Sequence, residues 1–89
     1  MRALVFTTIM LAAGGAAAQA GAQVVSARCL VCHDAERKKM GPSFRQIAAT
    51  RKGAEAQMLA KLKEGKGHPR IAAPEAELRA ALEHVMATK

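Results

Sequence analysis

The residues with the clearest chemical potential form one run, Cys29-Leu30-Val31-Cys32-His33. Two thiols separated by two residues and followed directly by a histidine form the attachment sequence for c-type haem. Each thiol can form a thioether with a haem vinyl group, and the imidazole can bind the iron. Redox dithiols and zinc sites use the same Cys-x-x-Cys spacing. The adjacent histidine favours haem, with Cys29 and Cys32 as attachment points and His33 as an axial ligand.

A helix is the element best suited to present this run, because it brings both thiols and the imidazole within one turn. Residues 23–32 contain few helix breakers and predict a short first helix, with Val24, Val25 and Leu30 as its apolar contacts. The polar and basic residues 34–39 predict a solvent-facing loop, which ends at Gly41-Pro42.

Three further helices are predicted over residues 43–50, 53–64 and 74–87, with Gly65 as a C-cap of the second. Their predicted inward-facing residues are Phe44, Ile47 and Ala48, then Met58, Leu59 and Leu62, then Leu78, Ala81, Leu82, Val85 and Met86. The sequence therefore predicts an all-α fold.

The first 20 residues have the pattern of a secretory signal peptide. Arg2 supplies positive charge, residues 4–13 are apolar, and Ala18-Gln19-Ala20 is a small-residue cleavage site. Cleavage after Ala22 is an alternative. We therefore expect a signal peptide over residues 1–20, a single domain over residues 21–89, a location in the periplasm, and no stable membrane insertion after cleavage.

The chain of 89 residues contains no Trp, no Tyr and two Phe. A domain this small buries little apolar surface and usually needs a staple such as a disulfide, a metal or a cofactor. The two cysteines could pair as a disulfide in an oxidising compartment, but a covalently bound haem would also fill the interior.

The formal charge of +7 fits acidic partner proteins or anionic lipid head groups as well as a plain solvated surface. Nucleic-acid binding has no support, because neither a recognition motif nor stacking aromatic residues accompany the charge. The sequence shows no acid/base pair, nucleophile constellation or phosphate loop, so we do not expect an enzyme.

The run Lys39-Met40-Gly41-Pro42-Ser43-Phe44 follows the first motif at a distance that resembles the small class I bacterial cytochromes c. The resemblance implies three to four short helices wrapped around one covalently bound haem c, with the N- and C-terminal helices crossing. It also implies that the carbonyl of Pro42 accepts a hydrogen bond from the iron-ligating histidine, here His33, and so fixes its tautomer.

The chain departs from the family at the second axial ligand. The family normally places a methionine, commonly followed by proline, in the loop before the last helix, whereas this chain has His68-Pro69 there. We therefore predict that His68 is the second ligand, because imidazole binds iron well and the neighbouring glycines allow close approach. An exposed His68 with five-coordinate iron, or ligation by Met40, Met58 or Met86, is the alternative.

The function that these features predict is one-electron transfer between redox partner proteins of unknown identity. Two histidine ligands would give a lower potential than the usual His/Met pair. Other hypotheses are a haem-based ligand-binding or sensor protein, a cytochrome subunit of a larger redox complex, and a zinc module. The zinc module would use Cys29, Cys32, His33 and His68.

Overall fold

The computed structural model describes Ala3, Val5 and residues 13–89, with side chains in the helices described from Gln19 onward. The predicted signal-peptide features at Arg2 and over residues 6–12 lie outside the described residues.

Four α-helices and one π-helical turn make up the regular structure of residues 13–89, which contain no strand. The helices are α1 (Ala13–Val24), α2 (Phe44–Thr50), α3 (Glu55–Glu64) and α4 (Glu75–Met86). The π-helical turn, Val25–Cys29, continues directly from α1. The predicted all-α fold is confirmed.

The first helix differs from its prediction at both ends. It begins at Ala13, well before residue 23, and passes through the predicted cleavage point after Ala20. Alanine has the highest helix propensity of all residues, so the alanine-rich run before Gly21 continues the helix. At the other end, a π-helical turn replaces the expected α-helix. No helix within the described residues is long and apolar enough to span a membrane.

The core forms where α1 and the π-helical turn pack against α4, with α2 beside them. At the α1–α4 contact, Gly21 is so close to Ala80 that a Cβ atom on it would lie 3.2 Å from the Ala80 Cβ and nearer still to its carbonyl. The buried cluster comprises Val24, Val25, Phe44, Ala81 and Val85. Contact between the first and last helices agrees with the architecture that the family resemblance implied.

The predicted inward faces of α2 and α4 are largely confirmed. Phe44 and Ala48 are buried in α2, and Ile47 packs against the same cluster. Four of the five predicted residues of α4 are buried, and Met86 is half-buried. Leu30 was wrongly predicted as an apolar contact, because it lies in the turn after Cys29 and is 40% exposed.

Helix α3 contributes no buried side chain to the core. Its predicted apolar stripe, Met58, Leu59 and Leu62, is only half-buried, because α4 is the only helix of the described chain that α3 contacts. The predicted C-cap is confirmed: Gly65 has a φ of 76°, and its N–H donates to the carbonyl of Lys61 at 2.8 Å.

Truncation of Leu78, the most deeply buried large side chain at 1% exposure, tests this packing. We expect Leu78→Ala to lower the free energy of unfolding of the protein by about 2–5 kcal/mol, because it leaves a cavity in the core. Denaturant titration measures the loss. Leu30→Ala is the matched control, since Leu30 is 40% exposed and its truncation should cost less than half as much. Equal losses would contradict the packing described.

Candidate haem site

The two cysteines stand at the end of the π-helical turn. The Leu30 N–H donates to the carbonyl of Val25 at 3.1 Å, five residues back, and the His33 N–H donates to the carbonyl of Cys29 at 3.0 Å. Cys29 packs against the core cluster, and this burial raises the pKa of its thiol. Both cysteines are half-buried free thiols, so the alternative Cys29–Cys32 disulfide is not formed.

The loop that follows the motif folds back onto it through the backbone. The Gly41 N–H donates to the carbonyl of Cys32 at 2.8 Å, and the Phe44 N–H donates to the carbonyl of Asp34 at 2.9 Å. At the motif itself, the Lys39 ammonium donates to the carbonyl of Leu30 at 3.0 Å. These bonds fix the position of Pro42 relative to the cysteine and histidine side chains.

Asp34 shapes the start of this loop. Its carboxylate accepts hydrogen bonds from the backbone N–H groups of Glu36 and Arg37, both at 2.9 Å. These two bonds hold the pKa of the Asp34 carboxyl below its ordinary value. Residues 35–40 are exposed, as predicted for a solvent-facing loop.

The His33 ring is fixed on one side by this loop. Its Nδ1 lies 2.6 Å from the carbonyl oxygen of Pro42. A carbonyl can only accept, so Nδ1 carries the proton and Nε2 has a free lone pair. A Cβ atom on Gly41 would lie 2.8 Å from Nδ1 and closer to another atom of the ring. The ring of Phe44 stacks with that of His33 at a centroid distance of 5.5 Å.

His68 lies close to His33, 35 positions earlier in the sequence, and the two rings are stacked. The two ring centroids are 6.0 Å apart, and the ring planes differ by 10°. The Nδ1 of His68 lies 2.7 Å from the carbonyl oxygen of Pro69, so this nitrogen also donates and its Nε2 is also free. Both rings are half-buried.

The structure places Pro42 and His68 beside His33, which directly follows the two cysteines in the chain. Of the alternative methionine ligands, Met58 is half-buried on α3. Met40 is 84% exposed, with its sulfur 4.0 Å from that of Cys32. Met86 lines a groove between α2 and the end of α4. Within the described residues, no three His, Cys, Asp or Glu side chains converge as a metal-binding group, so the four-ligand zinc hypothesis has no structural support.

Sequence reasoning missed two contributors to the site. Gly41 was interpreted as a chain breaker and as part of the family-like run, but not as the residue whose missing side chain makes room for the His33 ring. Lys39 was assigned to the solvent-facing loop, yet it donates to the carbonyl of Leu30 inside the motif. The available signal for both was the run Lys39-Met40-Gly41-Pro42-Ser43-Phe44, which contains them and resembles the family pattern.

Comparison with known proteins agrees with this geometry. The family model for cytochrome c matches residues 18–85. This chain belongs to the cytochrome c family. As a small class I monohaem cytochrome c, it binds haem c covalently, and its family functions in haem-based electron transfer between redox partners. No curated protein and no solved structure matches this cytochrome.

Gly41→Ala tests whether this glycine gives the His33 ring its place. The added methyl group should push the ring off the Pro42 carbonyl, reduce haem incorporation and lower the free energy of unfolding by about 1–3 kcal/mol. Haem content and the visible spectrum of the purified cytochrome measure the change.

Gly53→Ala is the matched control for this substitution. Gly53 has a φ of 82°, and a Cβ atom there would meet nothing within 4 Å. Its substitution should cost stability through backbone strain alone, with an unchanged haem spectrum. A Gly41→Ala protein with normal haem content and a normal spectrum would contradict the role given to Gly41.

Proposed function

We propose that this cytochrome is a periplasmic one-electron carrier in which His33 and His68 bind the haem iron from opposite faces and set a low potential. The close, nearly parallel approach of the two imidazole rings carries the proposal. When two imidazole nitrogens bind one metal ion from opposite sides at about 2 Å each, the ring centroids lie about 6 Å apart. The separation of 6.0 Å between the His33 and His68 centroids agrees with that arrangement.

The hydrogen bonds of the two rings support the same assignment. Histidines that ligate metals almost always donate their other ring N–H to a carboxylate, a backbone carbonyl or water. Here His33 donates to Pro42 and His68 donates to Pro69. Both tautomers therefore leave Nε2 as the nitrogen available for a metal.

The two thiols complete the site in this proposal. Cys29 and Cys32 lie on the turn that carries His33, so thioethers to both would hold the haem edge beside the proximal imidazole. The pKa of Cys29 is raised, which favours the neutral thiol and keeps its unassisted reactivity low. Attachment at this position would then depend on the haem being brought to the thiol.

The haem supplies the one-electron chemistry, and the chain supplies orientation and electrostatics. A methionine opposite histidine raises the potential of a c-type haem. Imidazole at that position therefore lowers the potential relative to the usual His/Met member of the family. Persistent ligation by two fixed imidazoles also keeps the coordination the same in both oxidation states, which suits electron transfer.

Substitution of the distal histidine tests the ligation. We expect the unmodified protein to be low-spin and six-coordinate, without the sulfur-to-iron charge-transfer band of methionine ligation. His68→Met should introduce that band and raise the midpoint potential by on the order of 100 mV, well inside the range of about 0.8 V that axial ligands span. Optical spectra and a redox titration measure both.

His84→Ala is the control, because His84 is the exposed histidine of α4. It should change neither the spectrum nor the potential. If His68→Ala also leaves both unchanged, His68 is not a ligand. A vacant distal position in the unmodified protein would instead favour the ligand-binding or sensor hypothesis.

The location follows from the predicted signal peptide, and membership of the family suggests an extracytoplasmic protein. We infer that cleavage occurs after Ala20 rather than after Ala22. Only the first cut keeps Gly21, which is buried against Ala80 at the contact between α1 and α4.

Fractionation and intact mass test both inferences. The periplasmic fraction should contain a haem-bearing chain that begins at Gly21, and Ala20→Phe should block or shift the cut, because the cleavage site requires small residues. Ala27→Phe, on an exposed position of the π-helical turn, is the control for an added aromatic side chain and should leave the cut unchanged. A haem-bearing protein that retains Met1 and stays in the cytoplasm would contradict both inferences.

A further inference from the structure

The segment that carries His68 is a closed loop over residues 65–70, called here the distal loop. Its two ends touch: a Cβ atom on Gly65 would lie 3.2 Å from the Cβ of Arg70. One residue further on, the Ile71 N–H donates to the carbonyl of Leu62 at 2.9 Å. The chain therefore leaves the end of α3, passes His68 and returns to the same helix end.

The core of the protein does not hold this loop. Helix α3 has no buried side chain, and the distal loop consists of exposed residues apart from the half-buried His68. The bond to Pro69 orients the His68 ring within the loop, and the position of the loop relative to His33 then depends on the bonds at its base.

The hydrogen bonds at the loop base also cap the C-terminal end of α3. A helix leaves its last four carbonyls without partners inside the helix. Here three consecutive carbonyls receive partners from the chain that follows. Gly65 N–H donates to Lys61, Ile71 N–H donates to Leu62, and Arg70 Nε donates to Lys63 at 3.2 Å. Two of the three donors come from the returning end of the loop, so the bonds that cap α3 also close the distal loop.

Arg70 is the only one of these donors that uses a side chain. Its acceptor belongs to Lys63, whose ammonium lies 3.4 Å from the Glu75 carboxylate at the start of α4. The same carboxylate contacts Arg79 one turn further along α4. The ion pair between Lys63 and Glu75 thereby links the loop base to α4. Arg79 forms its ion pair with Glu75 within α4.

We propose that Arg70 is a positioning residue that keeps His68 directed at the haem by closing the base of the distal loop. The proposal rests on His68 being the second axial ligand. Opening of the Arg70–Lys63 bond lets the loop ends separate, and His68 then leaves the iron more often. Arg70 thus controls the exchange rate of the distal position through its bond to the Lys63 carbonyl.

Competition by carbon monoxide tests this role in the reduced, haem-loaded protein. Carbon monoxide can bind the ferrous iron only when His68 has left it, so its binding rate reports loop opening. We expect Arg70→Ala to speed binding about threefold to tenfold, the factor that corresponds to one net hydrogen bond. Arg70→Lys, which can still donate to the Lys63 carbonyl, should recover part of the difference.

Arg51→Ala is the matched control, because it removes an exposed arginine at the end of α2, away from Glu75 and the distal loop in the chain. It should bind carbon monoxide at the unmodified rate. Equal rates for Arg70→Ala and the unmodified protein, with His68→Ala much faster than both, would overturn the role of Arg70 alone. If the unmodified protein already binds as fast as His68→Ala, the ligand assignment fails, and the proposal for Arg70 fails with it.

Discussion

The contact between the His33 ring and the carbonyl of Pro42 constrains most of the architecture around it. A distance of 2.6 Å between Nδ1 and that oxygen requires the backbone at Gly41 to lie against the ring. The loop must then return to the motif within eight residues, which it does through the bond from Gly41 to Cys32. Phe44 follows at once, so the same return places a core residue and begins α2.

The two imidazoles are held by different means, although both donate to a proline carbonyl. The proline that accepts from His33 is nine residues away and is fixed by a loop bonded to the motif at several points. The proline that accepts from His68 is the next residue in the chain. One ring is thus oriented by tertiary structure and the other by a local turn. In an electron carrier with the proposed ligation, this difference would make the distal side the more easily opened of the two.

Local signals made much of this fold predictable. The periodicity of α4 identified its four buried residues, and Gly65 marked the end of α3. The placement of Pro42 beside His33 came from the family resemblance and agrees with the structure. Periodicity over-predicted the burial of Met58, Leu59 and Leu62, because a stripe shows that a face is apolar but not how much of the chain covers it.

Two other features depended on long-range information that the sequence pattern lacks. The predicted start of α1 at residue 23 was wrong, because α1 begins at Ala13. An alanine-rich run is typical both of a signal-peptide cleavage region and of a helix. The approach of His68 to His33 could be expected only from the position of a family ligand. The ring distance depends on tertiary packing.

The π-helical turn that ends at Cys29 fixes the number of residues between α1 and the first thiol. Relative to an α-helix, it accommodates one more residue between the face that packs on α4 and the first thiol. Each residue of an α-helix turns the chain by roughly 100°. Without the π-helical turn, Cys29 would therefore point away from the helix face that carries Val24 and Val25. An insertion or deletion in this turn would therefore change the orientation of Cys29 relative to the contact with α4. The side chains of Ser26, Ala27 and Arg28 are exposed, so their substitution does not affect this packing.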